Sequence, residues 1–155
     1  MSKSVRRVER AAAELGLDIR VRRMGESTRT AEDAARVCGC DVAQIVKSLI
    51  FKGGERGDLI LLLVSGANQA DLELAAATIG EPLVRADANE VRARTGFAIG
   101  GVSPIGHLEA PRIWMDETLL SYPAVWAAAG APDAVFEIAP DTLRAATGAV
   151  PARLQ

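Results

Sequence analysis

Hydrophobic positions near the start of the chain recur at helical spacing. Val5, Val8, Ala12 and Leu15 lie three or four residues apart, and Gly16 supplies a C-terminal stop. Ile19 and Val21 then alternate with arginines, the period of a half-buried strand. Thr30 begins a helix, with Asp33 where a capping-box acid belongs and Gly39 at its end. Asp41 and Gln44 repeat the box ahead of a helix that must be short, because Val46 to Lys52 reads as a strand. Gly53 to Asp58 is a turn rich in glycine and charge. Leu59 to Val64 is a continuous apolar run, as expected of a strand buried on both faces. Asn68 or Gln69 is expected to start the next helix, which runs to Gly80. Leu83 to Arg85 predicts a short strand, and Ala88 to Thr95 a short helix stopped by Gly96. Arg112 to Asp116 and Val135 to Ile138 are strand-like. Tyr122 to Ala129 is ambiguous, since alanine favours helix while Pro123 interrupts it. Pro140 to Thr147 reads as a final helix with proline near its start. Helices and strands mix irregularly, with no repeat and no linker, which predicts an α+β fold with a mixed sheet.

Composition narrows the classes. The chain has 155 residues, a length suited to one compact domain. Hydrophobic residues make up 49% and charged residues 25%, which argues against intrinsic disorder. The longest apolar run is far short of the ~20 residues of a membrane helix. The charged stretch from Met1 to Arg10 lacks an apolar segment of the secretory type, so a cytoplasmic protein is expected. Cys38 and Cys40 sit one residue apart, a poor spacing for a disulfide, and no Cys/His cluster completes a zinc site. No metal or other cofactor is expected. The net charge of −2 hides an asymmetry: residues 1–24 carry seven basic and three acidic groups. That basic stretch either steers a polyanion or forms a solvated face. A general duplex-DNA binder should be more basic overall.

Two places break the packing rules. On a strand over 46–52, Lys47 shares a face with Leu49 and Phe51, while Val46, Ser48, Ile50 and Lys52 share the other. A lone buried cation is costly unless partnered. Lys47 therefore meets a partner or ligand, or else snorkels to water from the strand start. The second place is Gly100-Gly101-Val102-Ser103-Pro104-Ile105-Gly106, where few side chains shield the backbone. Such a loop either turns between strands or offers N–H groups to a phosphate or an oxyanion. It lacks the lysine of a P-loop. Ser103 has only His107 nearby as a base and no nucleophile elbow around it, so a Ser/His pair is a weak idea.

Four segments in order carry a resemblance: Thr30-Ala31-Glu32-Asp33-Ala34-Ala35, then Ile45-Val46-Lys47-Ser48-Leu49-Ile50-Phe51-Lys52, then Val64 to Leu72, then Thr95 to Gly106. The chain resembles the YbaK/prolyl-tRNA-synthetase-associated editing family. The match runs from about Thr30 to Asp116. The resemblance implies one editing domain over residues 1–155, with a mixed, mostly antiparallel sheet surrounded by short helices. It implies deacylation of mischarged tRNA, typically alanyl- or cysteinyl-tRNA specific for proline, with mischarged tRNA and a prolyl-tRNA synthetase as partners. Neither a membrane nor duplex DNA is expected as a partner. The family's functional lysine falls on Lys47, its GxxxP loop on Gly100 to Pro104, and an acid of a late strand on Asp116. Ser48 follows the lysine, where relatives carry Thr, Ser or Asn. Leu72-Glu73 stand where relatives often carry basic residues.

The catalytic expectation is then Lys47 with Gly100, Gly101 and Ser103, the loop N–H groups binding the charge that develops on the ester carbonyl. Lys47 would anchor a phosphate or the carbonyl end. The attacker would be water or the substrate's own group. Leu49, Phe51 and Ile99 would wall a small pocket, with Ser48, Val102, Pro104, His107 and Asp116 completing the substrate contacts. Arg6, Arg7, Arg10, Arg20 and Arg22 are the expected tRNA-facing charges. The alternative is a non-catalytic module that holds a tRNA end, a nucleotide or a small amino acid in the same cleft.

Overall fold

Among the described residues four of the five helices start at a side-chain cap, and the fifth starts at a proline. The computed structural model describes residues 2–155, so Met1 lies outside the described residues. Helix α1 (Lys3–Glu14) starts at Ser2, whose hydroxyl accepts from the Val5 N–H, and turns Val5, Val8 and Ala12 inward. After it comes β1 (Arg22–Arg23), much shorter than the expected strand. Ile19 and Val21 pack against the core without joining a ladder. Helix α2 (Ala31–Cys38) starts at Thr30, which accepts from the Asp33 N–H, and ends at Gly39 in the left-handed region. A short 3₁₀ turn (Val42–Gln44) follows, in which Gln44 Oε1 accepts from the Asp41 N–H at 3.1 Å.

Strands β2 (Val46–Gly53) and β3 (Leu59–Ser65) form an antiparallel hairpin with Lys47 opposite Val64. Helix α3 (Leu72–Ile79) is capped three residues after Asn68 and two after Gln69, where the start was expected. Its cap is Asp71, whose carboxyl oxygen accepts from the Glu73 and Leu74 N–H groups. Then follow β4 (Leu83–Arg85), α4 (Ala88–Thr95) and β5 (Arg112–Asp116). Next are β6 (Val125–Ala128), which resolves the ambiguous stretch as strand, and β7 (Ala134–Ile138). Helix α5 (Pro140–Thr147) and an unforeseen β8 (Val150–Ala152) close the chain.

The strands form two sheets. The larger has the order β4-β2-β3-β5-β8, with β3, β5 and β8 parallel and the remaining pairs antiparallel; the smaller is β1-β7-β6, all antiparallel. The fold is α+β with a mixed sheet. Every residue of β3 is buried. Leu61 and Leu63 enter the main core with Phe97, Met115 and Phe136, while Ile60, Leu62 and Val64 pack against Ala75 and Leu154 on the other face. The sheets touch at a parallel bridge between Ile45 and Trp126. Among the described residues no helix is long and apolar enough to cross a membrane.

Candidate functional site

Strand β4 pairs with β2 only from Phe51 to Gly53. Upstream of that, β6 lies alongside β2, and the space between the two sheets opens into a cavity of about 460 Å³. Val46 to Leu49 form one wall and Trp126 to Ala128 the opposite one. The segment leading into α2, from Thr28 to Ala31, and the loop residues Ile99, Gly100 and Val102 close the remaining sides. The volume is within the range of small-molecule sites. Its lining holds two cationic side chains, Lys47 and Arg29, and no acidic one. Neither takes part in an ion pair among the described residues. The cavity therefore favours an anionic or carbonyl-rich guest.

Lys47 is held by a relay. Its Nζ donates to the backbone oxygen of Asn68. The Asn68 side chain donates to Asp116 Oδ2 at 2.9 Å and to Thr118 Oγ1 at 3.1 Å. Asp116 is buried and also accepts from the Ser65 N–H (3.1 Å) and the Thr118 N–H (3.0 Å). The turn that carries Asn68 fits only because residue 66 is glycine: a Cβ there would stand 2.4 Å from the Val42 carbonyl oxygen. An ammonium has three N–H donors, so two of Lys47's remain for a guest. Ser48 lines the same wall, and its buried hydroxyl has no hydrogen-bond partner among the described residues. A buried polar group left unpaired costs about 1–3 kcal/mol, which sets this hydroxyl apart from the apolar residues of the wall.

Gly100 has φ +98, a conformation that L side chains rarely adopt. Gly101 packs its α-carbon against the Ala131 backbone, with 3.1 Å to the nearest atom from where a Cβ would be. Its N–H is engaged, donating to the Ala98 oxygen at 3.0 Å. It offers no N–H to a guest, whereas those of Gly100 and Val102 donate to no acceptor among the described residues.

Lys47, Ser48, Leu49, Ile99, Gly100 and Val102 thus share one cavity. Gly101, Ser103, Pro104, Phe51, His107 and Asp116 stand elsewhere. Phe51 packs beside β4 with the cluster around Ile60 and Leu62. Ser103 is fully buried, its hydroxyl accepting from the Ile105 N–H at 3.2 Å. Pro104 and His107 border a different hollow, between the loop and α1. Asp116 acts behind Asn68. Arg7, expected to face RNA, turns inward: Nε donates to the Gly106 oxygen at 2.7 Å, Nη2 to the Gly96 oxygen at 2.6 Å, and the guanidinium lies 4.7 Å from the Phe97 ring centroid. Two cavity residues and the support behind Lys47 were not foreseen from the sequence. Asn68 was expected to start a helix; Arg29 and Trp126 carried no local signal.

His107 and Ser103 are joined through the Ser103 carbonyl, not the hydroxyl, at 2.6 Å. A carbonyl only accepts, so His107 Nε2 carries the proton. Burial pushes its pKa down to about 4; the Ser103 carbonyl opposes this and the Arg7 charge adds to it. The imidazole is neutral at pH 7. Stability is full above the unfolded value near 6.5 and falls as acid forces a proton onto the buried ring. Between pH 7 and pH 5 the loss should be about 2 kcal/mol. Urea unfolding of the protein and of His107→Gln at both pH values checks this. A wild-type pH slope equal to the variant's refutes it.

Three comparisons bear on the chain. Residues 25–146 match the model of a family described as the aminoacyl-tRNA editing domain. A crystal structure of a protein assigned provisionally as a trans-editing enzyme for prolyl-tRNA synthetase superposes with a TM-score of 0.94 and 49% identity, covering 100% of this chain and 98% of the other. The Bacillus subtilis (strain 168) protein YwhH is 33% identical over 117 residues, 76% of this chain and 74% of its own. EbsC of Enterococcus faecalis (strain ATCC 700802 / V583), assigned provisionally as a Cys-tRNA(Pro)/Cys-tRNA(Cys) deacylase, is 28% identical over 123 residues, 79% of this chain and 74% of its own.

Proposed function

The chain belongs to the aminoacyl-tRNA editing domain family, and from that premise we propose that it deacylates mischarged tRNA in trans, acting on alanyl- or cysteinyl-tRNA specific for proline. Residues 1–155 act as one editing domain. The observation that carries the reading is the meeting of Lys47 and Gly100 on the walls of one cavity that holds no acid.

The reaction hydrolyses the ester between the amino acid and the terminal ribose. Attack on the carbonyl carbon places negative charge on its oxygen. The N–H groups of Gly100 and Val102 are free to receive that charge, and one such donor is worth about 2.7–4 kcal/mol of barrier. The two remaining N–H donors of Lys47 hold the carbonyl end, and the Ser48 hydroxyl meets the acyl group. A water oxygen bonds the carbonyl carbon as the ester C–O bond breaks, and its proton goes to the ribose oxygen, so the free amino acid and the ribose hydroxyl result; with a cysteinyl group the thiol can attack instead, its proton going to the ribose oxygen and a thiolactone leaving. Selectivity by size alone is limited, since one methylene changes discrimination by about 1–3 kcal/mol. That limit is why a synthetase whose pocket fits proline needs a second sieve for smaller acyl groups.

The deciding experiment charges tRNA(Pro) with alanine, cysteine, serine, threonine and proline and follows the acyl bond with and without protein. Loss of the alanyl or cysteinyl group well above the spontaneous rate, with prolyl-tRNA spared, is expected. No hydrolysis of any substrate at stoichiometric protein would replace the deacylase with a binding module.

A further inference from the structure

We infer that Arg29 holds the phosphate of the 3′-terminal nucleotide of the acylated RNA, at the mouth of the cavity. The inference rests on the deacylase reading above. It begins with two cations at different depths. Lys47 is half-buried and tied to Asn68, whereas Arg29 is exposed where α2 begins and has no ion-pair partner among the described residues. A bound acyl ester carries no carboxylate, so the anion nearest its ribose is the phosphodiester.

The position of Arg29 is fixed from both sides along the chain. The Thr28 N–H and hydroxyl both donate to the Pro132 oxygen, at 2.7 and 2.8 Å. Thr30 is the cap of α2. The Arg29 stem crosses Gly100, where a Cβ would lie 3.2 Å from Arg29 Cγ and 3.3 Å from Nε. Glycine at 100 therefore leaves the lane in which this side chain lies. Beside it Ile99 is 60% exposed at the cavity rim, where it offers an apolar contact for a base. The cavity, at about 460 Å³, also exceeds what a small acyl group fills. With the acyl end at Lys47 and Ser48, the nucleoside occupies the remainder and its phosphate reaches Arg29. A planar guanidinium suits that role better than an ammonium, because its paired donors match two phosphate oxygens.

The test separates phosphate from nucleoside. Adenosine and adenosine 5′-monophosphate are titrated against the protein and against Arg29→Gln, read by the fluorescence of Trp126 on the cavity wall. The wild type should prefer the monophosphate at least about fivefold, and the variant should bind the two alike. On acylated tRNA the variant should raise KM about tenfold, keep kcat within twofold and flatten the salt dependence by about one phosphate. Arg29→Lys should recover part of the KM. A phosphate preference that survives in Arg29→Gln, no preference in the wild type, or a loss confined to kcat overturns the assignment. The titration needs no turnover. Preference without hydrolysis would refute the deacylase reading alone, and hydrolysis without preference would refute this inference alone.

Discussion

Replacing Lys47 with alanine will slow deacylation at least about a hundredfold and leave the protein folded. The group removed donates to one backbone oxygen and has no ion-pair partner among the described residues, so its structural contribution is close to one ordinary hydrogen bond, about 1 kcal/mol. For a chain of this size that is a shift of roughly 2–4 °C in melting temperature. On the proposed deacylase reading its catalytic contribution is larger, because Lys47 lines a cavity without an opposing acid and keeps two N–H donors beyond the one given to Asn68. A hundredfold loss corresponds to about 2.7 kcal/mol of barrier. Single-turnover hydrolysis of acylated tRNA, paired with thermal melting, gives both numbers. Activity within tenfold of the wild type would move the chemistry away from this strand.

Asp116→Ala should have the largest effect on stability. The carboxyl group is buried and accepts from the N–H groups of Ser65 and Thr118 and from the Asn68 side chain. Truncation leaves those donors facing a void, and each unpaired buried group costs about 1–3 kcal/mol. A loss of about 3 kcal/mol or more is expected, a fall of roughly 6–12 °C in melting temperature. Activity should fall as well, at temperatures where the variant is folded, because Asn68 no longer holds its oxygen under Lys47. Asp116→Asn keeps the size and one acceptor oxygen, and should lie between the two. Chemical denaturation of both variants decides it. A cost below 1 kcal/mol for the alanine variant would mean that the relay does not brace the turn.

Much of this was legible in the sequence, and the rest was not for identifiable reasons. Helix ends carry local signals, so Thr30 with Gly39 and Gly80 and Gly96 marked real boundaries. The alternation around Lys47 and the poverty of side chains at Gly100 both stood out as violations of simple packing, and the fold places them on one cavity. What failed depended on distance through space. Asn68 offers the same capping chemistry as Asp71, and only the three-dimensional position of Asp116 assigns it another task. Strand β8 is three residues long and owes its existence to the edge of β5. Ser103 and His107 looked reactive by residue type, but burial gives both to the loop's own architecture. Arg7 looked like one more surface charge in a basic stretch, and nothing local records that carbonyls some ninety residues away await it.

The position of Arg7 also matters for engineering. One guanidinium on α1 latches the backbone on either side of the glycine loop, at Gly96 and Gly106. Helix α1 lies wholly before residue 25, where the likeness to the family model begins. The loop is therefore not a self-contained cassette. A transplant of residues 96–106 into a related scaffold would have to carry a matching first helix, or the graft would arrive without the clasp that gives it shape.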